Sequence, residues 1–144
     1  MYKTILVPFD GSQAALAALE LACRLAEPDA TLVLLGVPEA MPASDVLGRG
    51  TGASPADVDR ERLGEEARAG LEAAWATLDE PRGTPEFLVR WGRPAQTIVG
   101  EATKRDVDTI VMGNRGLSNI QSMAMGSVSH KVLHTAPCRV ITVH

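Results

Sequence analysis

Apolar positions along this chain switch between two spacings. Lys3 to Pro8 (KTILVP), Thr31 to Val37, Glu86 to Trp91, Thr109 to Met112 and Cys138 to Val143 are short apolar stretches that read as strands. Between them the pattern is helical. Leu16, Leu19, Cys23 and Ala26 share one face of a helix expected from an N-cap at Ser12 to about Glu27, with Pro28 stopping it. A second helix is expected from Ser54-Pro55 to about Leu78, with Ala67, Leu71, Ala74, Trp75 and Leu78 inward and its arginines and glutamates in solvent. Pro94 to Lys104 and Ser127 to Thr135 give two more helices. Pro38 to Ala56 is rich in Pro, Gly, Ser and Ala without an apolar period, so a mobile loop is expected there. Strands alternating with helices indicate a parallel α/β sheet. With no internal repeat and no linker, residues 1–144 read as one domain.

Composition narrows the partners. The chain has 144 residues, a formal charge of -4 and a sequence pI near 5.3 with no basic run, which argues against nucleic acid and anionic membrane. Aromatics make up 3% of it, leaving no stacking platform for single strands. No apolar segment reaches the roughly 20 residues that span a bilayer. The N-terminus enters a strand directly, without a secretory leader. Cys23 and Cys138 match no metal or redox spacing, and both are expected to be small buried residues in a reducing cytoplasm.

The candidate chemistry lies in MGNRGLSNIQSMAMGSVSH, Met112 to His130. Gly113, Gly116, Gly126 and Ser127 stand there in the spacing G-x-x-G-(x)9-G-S, between a strand and a helix. A strand-to-helix turn gathers backbone N–H groups at a helix N-terminus, where an anion is favoured. Glycine would serve by tolerating positive φ and by keeping Cβ away from a ligand. Ser127 offers a hydroxyl to the anion or a cap to the helix. The loop is neither a G-x-x-x-x-G-K-[ST] loop nor a G-x-G-x-x-G after the first strand. Arg115 offers a bidentate phosphate donor or a solvated side chain. Ser129 offers a hydroxyl or N–H to a ligand, or a helix cap. His130 and His134 are spaced i, i+4 but have no third ligand in sequence, so they read as solvated.

This motif, with Ser127-Val128-Ser129 after it, resembles the nucleotide-binding signature of the universal stress protein family, in its ATP-binding branch. The resemblance runs the length of the chain: YKTILVPFDGS at Tyr2 to Ser12, Gly92-Arg93-Pro94-Ala95 before a helix, Asp108 to Gly113, and Ala136-Pro137-Cys138-Arg139-Val140 near the end. Asn114 stands where serine is common, and Arg139 where a second proline is usual. The resemblance implies a Rossmann-like, adenine nucleotide alpha hydrolase-like fold, an open five-stranded parallel sheet of order 3-2-1-4-5 with helices on both faces. It implies ATP with Mg²⁺ or Mn²⁺ as ligand. Asp10 would meet a nucleoside hydroxyl or metal-linked phosphate, or else serve only the Asp-Gly-Ser turn. Pro8, Val37 and Met112 would form the adenine pocket, or pack as core. Gly113, Arg115, Gly116, Gly126, Ser127, Val128 and Ser129 would hold the phosphates. A homodimer through Cys138 to Val143 is implied as well.

Three functions compete on these residues. The first is a nucleotide-dependent regulatory protein acting on an unidentified protein partner. The second is a slow ATPase or nucleotidyl-handling enzyme; its Ser-Gly-Gly-x-Asp-Ser and His-x-Gly-His motifs are missing, and no general base or phosphate-loop lysine can be named. The third is an interaction protein that binds no nucleotide, against which the intact glycine signature counts.

Overall fold

The computed structural model describes residues 1–38, 54–114 and 126–144. Strands β1 (Tyr2–Pro8), β2 (Ala26–Gly36), β3 (Thr84–Val89), β4 (Thr109–Gly113) and β5 (Arg139–Val143) form one sheet, ordered β3-β2-β1-β4-β5, with each neighbouring pair parallel. Four helices, α1 (Gln13–Leu25), α2 (Ser54–Ala76), α3 (Pro94–Lys104) and α4 (Ser127–Thr135), are described.

The strands are apolar because both faces are covered. One face of the sheet (Ile5, Val7, Leu32, Leu34, Val111) packs with Leu19 of α1 and Leu71 of α2. The other (Leu6, Val33, Leu35, Ile110, Met112) packs with Ile98 of α3 and Val132 of α4. Neighbouring residues of one strand divide between these clusters, as the two-residue period requires.

The bounds of α3 and α4 match the sequence expectation. Those of α1 do not. It ends at Leu25, and the fully buried Ala26 is already extended at φ -77, ψ 144. A proline disfavours helical backbone in the residue before it, so Pro28 keeps Glu27 out of the helix, and Ala26 is the C-cap. The register then slips between the pairs Tyr2/Ala26 and Thr4/Thr31, and Pro28 sits in that irregular stretch, where no ladder donor is needed. Most of the loop expected over Pro38 to Ala56 lies outside the described residues, and its last part, from Ser54, is α2.

The two sheet edges differ. Arg90 N–H donates to Gly36 O, so the backbone of β3 faces outward at Phe87 and Val89. Both of these outward carbonyls accept from guanidinium groups, Phe87 O from Arg68 Nη1 at 3.2 Å and Val89 O from Arg90 Nη1 at 3.0 Å. Pro85 also stands in this strand. On β5, Val143 O accepts from Asn114 N–H, so Val140 and Thr142 present the outward backbone groups.

Behind β3 lies an ionic cluster. Glu101, 8% exposed, receives Arg90 Nε at 3.0 Å and Arg105 Nε at 3.1 Å, and Arg105 Nη1 continues to Glu86 at 2.8 Å. Burial alone would raise the Glu101 carboxyl, but hydrogen bonds from Arg105 and Arg90 outweigh it and hold the group below the usual carboxylate range.

Candidate functional site

The chain winds outward from β1 in both directions, to β2 and β3 on one side and to β4 and β5 on the other. A ligand crevice is expected at the carboxyl ends of strands at such a switch point. Pro8, Asp10, Val37, Met112 and Gly113 all stand at or just beyond the ends of β1, β2 and β4. Gly126, Ser127, Val128 and Ser129 stand at the start of α4. Arg115 and Gly116 lie outside the described residues.

At the end of β1, Asp10 Oδ1 accepts from Ser12 N–H at 2.9 Å, and Gly11 turns the chain at φ +85. Ser12 then caps α1, its Oγ accepting from Ala15 N–H at 3.1 Å. Asp10 thus makes the turn, and being exposed it keeps its second carboxylate oxygen without a partner among the described residues. Met112 is buried in the α3–α4 face and Val37 is packed against the same cluster. Pro8, half-buried, is expected on that face from strand alternation.

The start of α4 differs in detail from expectation. Its N-cap is Gly126, with no side-chain cap, and Ser127 is the first helical residue, so Ser127 does not cap. The first helical bond runs from His130 N–H to Gly126 O at 3.0 Å. The N–H groups of Ser127, Val128 and Ser129 precede it and have no partner among the described residues. Ser127 is exposed. Ser129, 3% exposed, shares its hydroxyl proton between Gly113 O at 2.9 Å and Asn114 O at 3.1 Å, so it clamps α4 to the end of β4 and leaves only its N–H for a ligand. Gly126 N–H also reaches Asn114 O at 2.9 Å, which brings the two ends of the glycine loop together.

The glycines do not share one role. Gly126 has φ -62, an ordinary extended value, and Gly113 is not among the positive-φ residues, so the expected conformational freedom is unused at both. Gly113 is needed for close approach instead: a Cβ there would stand 2.9 Å from Ala14 Cβ and 3.1 Å from Ala14 C. Sequence inspection missed Asn114 and His144, whose side chains meet at 3.0 Å beside the loop base. No local signal links residues 30 positions apart.

Cys23 is buried, and burial with nearby Glu20 pushes its thiol up to about 11; Cys138 is only half-buried. His130 and His134 are exposed with ring centroids 4.4 Å apart, and among the described residues no three His, Cys, Asp or Glu side chains converge as a metal site. A separate hollow of about 660 Å³ between α2 and β3 is flanked by Gly64 and Trp91, with Arg60 stacked 4.7 Å over the Trp91 ring.

A parallel sheet reversing at β1, with an uncapped helix start beside the reversal, is an anion-binding arrangement shared by several fold families. The model of the universal stress protein family matches residues 1–144. The chain belongs to that family. It is 37% identical over 143 residues to the "Universal stress protein in QAH/OAS sulfhydrylase 3'region" of Thermus aquaticus, covering 99% of both chains. Among solved structures it is similar to the hypothetical protein MJ0577 at TM-score 0.79 and 27% identity, covering 99% of this chain and 96% of that one. It is also similar to a universal stress protein solved in complex with cAMP, at TM-score 0.64 and 26% identity, covering 99% and 97%. The universal stress protein fold of this chain is therefore an α/β domain with the strand order that the family resemblance implied.

Proposed function

We propose that this universal stress protein binds ATP at the carboxyl rim of β1 and β4 and works as a nucleotide-dependent regulatory protein in the cytoplasm. The observation that carries the reading is the start of α4, where the N–H groups of Ser127, Val128 and Ser129 have no partner among the described residues. The helix dipole adds to them. The relative solved with cAMP supports a nucleotide as the anion. Gly126 and the Ser127 hydroxyl would border the phosphates, with Arg115 and Gly116 of the same loop, and Pro8, Val37 and Met112 would border the adenine.

Mg²⁺ or Mn²⁺ would accompany the nucleotide. Such ions take one or two carboxylates together with phosphate oxygens, and Asp10 retains a carboxylate oxygen for that purpose. The ion would neutralise phosphate charge. Among the described residues of this rim no group is arranged as a general base, so turnover is expected to be slow or absent, and we read the chain as a binding protein rather than an enzyme. Self-association through β5 fits the same reading, because among the described residues the outward groups of β5 have no guanidinium covers like those of β3.

The test is calorimetric titration with ATP, ADP and AMP beside Ser127→Glu. A carboxylate in the first turn favours the helix but repels phosphate, so the variant should keep or raise its melting temperature while losing about tenfold or more in ATP affinity. No heat with any of the three nucleotides at millimolar concentration, or full affinity in Ser127→Glu, would overturn the proposal.

A further inference from the structure

His144 directly follows β5, and because β4 and β5 are parallel neighbours it stands beside Asn114, from which the glycine loop departs. The backbone of Asn114 is held on both its polar groups. Its N–H donates to Val143 O at 2.6 Å, its carbonyl accepts from Gly126 N–H at 2.9 Å and from the Ser129 hydroxyl at 3.1 Å, and the residue is 5% exposed. The side-chain Nδ2 lies 3.0 Å from Nδ1 of the exposed His144 ring, and Asn114 Oδ1 has no partner among the described residues.

Two arrangements satisfy this contact. In the first, Nδ2–H donates to an unprotonated Nδ1, and a neutral ring then carries its proton on Nε2. In the second the amide is turned over, Oδ1 accepts from Nδ1–H, and Nε2 carries a proton only when the ring is an imidazolium. In both, Nε2 is the nitrogen that Asn114 leaves unengaged. Two hydrogen bonds, His144 to Asn114 and Asn114 to Gly126, connect the ring to the uncapped start of α4.

We propose that His144, its ring fixed by Asn114, is a further contact for the phosphate groups of the bound nucleotide and donates to them from Nε2. This rests on the nucleotide-binding reading above. Only a donor is useful beside an anion, so the nucleotide selects the ring forms that carry a proton on Nε2. In the first arrangement, with Nδ2–H donating to Nδ1, the amide of Asn114 enforces one of them in the neutral ring. His144 touches the ligand; Asn114 acts through it as a positioning residue.

Titration of the full chain with ATP and with adenosine, which lacks phosphates, tests the proposal. His144→Ala should weaken ATP about three- to tenfold, the range of one hydrogen bond to a charged group discounted for exposure, and should leave adenosine affinity and the melting temperature unchanged. Long-range ¹⁵N spectra of the wild-type ring should show a protonated Nε2 that shifts on adding ATP. In Asn114→Ala the ring should become a tautomer mixture, with ATP weakened by a similar factor. Adding His144→Ala to that variant should cost little more, since the two residues act as one unit. Wild-type ATP affinity in His144→Ala, equal loss for ATP and adenosine, or an Nε2 signal indifferent to ATP would overturn this proposal alone. Failure of the wild type to bind ATP would overturn both it and the nucleotide-binding reading.

Discussion

Gly113→Ala separates packing from ligand binding at the end of β4. The added Cβ would meet Ala14 Cβ at 2.9 Å, Ala14 C at 3.1 Å and Ala15 N at 3.2 Å. Carbon atoms pack best at about 3.5–4.0 Å, so the new methyl arrives roughly 0.4–0.6 Å or more too close to the two Ala14 carbons, and Ala15 N is crowded as well. None of them can rotate away, since two are backbone and the third is itself a Cβ. The first turn of α1 must therefore move off the sheet. Overpacking of this kind costs about 1–3 kcal/mol. Loss of glycine entropy in the unfolded chain returns about 0.4–1 kcal/mol, because Gly113 is not among the positive-φ residues and alanine suits its backbone. At the middle of both ranges the net loss is about 1.3 kcal/mol, or a melting point lower by roughly 3–5 °C in a chain of this size. Gly70→Ala in α2 and Gly100→Ala in α3 make the same chemical change with nothing within 4 Å of the new Cβ. Both should gain about 0.4–1 kcal/mol. Urea unfolding of the three variants without nucleotide is the assay. If Gly113→Ala unfolds with the wild type, or groups with the two helical variants, close approach to α1 does not explain this glycine.

Two further outcomes follow from the edges and the ionic cluster. Glu101→Gln leaves Arg90 and Arg105 without their shared carboxylate; as both arginines are partly exposed, the loss at pH 7 should be about 1–3 kcal/mol, below that of a fully buried pair. The folded Glu101 carboxyl lies below its ordinary value, so its contribution is present above the unfolded value of about 4.3 and is lost as pH falls through the folded one; the gap between wild type and variant in urea midpoints should close below about pH 4, and a gap unchanged at pH 3 would refute this. Thr142→Pro removes an outward donor of β5, whereas Val143 and Ile141 face β4, so sedimentation at micromolar concentration should show a wild-type dimer and a folded monomeric variant; a wild-type monomer or a folded dimeric variant would refute association through β5.

What was legible in the sequence was what local chemistry decides. Pro94 at the first turn marks the start of α3, and the glycine-serine pair marks that of α4, so both bounds could be read directly. Apolar runs gave the strands and their burial on two faces. The early end of α1 was missed because helical spacing continues through Ala26, and only the slipped pairing with β1 shows that the chain has already become strand. The arginines and glutamates of α2 read as solvent-facing, yet Arg68 also covers the outward carbonyl of Phe87, and that edge does not exist until the sheet is assembled. The same limit applies inside the motif. Gly113 and Gly126 belong to one spacing, but Gly113 is required by Ala14, which reaches it only through the packing of α1. Ser127 and Ser129 look interchangeable as hydroxyl donors, and the turn of the helix separates them, sending Ser127 to solvent and Ser129 into the carbonyls of Gly113 and Asn114. A motif therefore locates a helix start well, since several of its residues must sit there together. It assigns roles within the site poorly, since each role depends on which distant element the fold brings alongside, α1 for Gly113 and the end of β5 for Asn114.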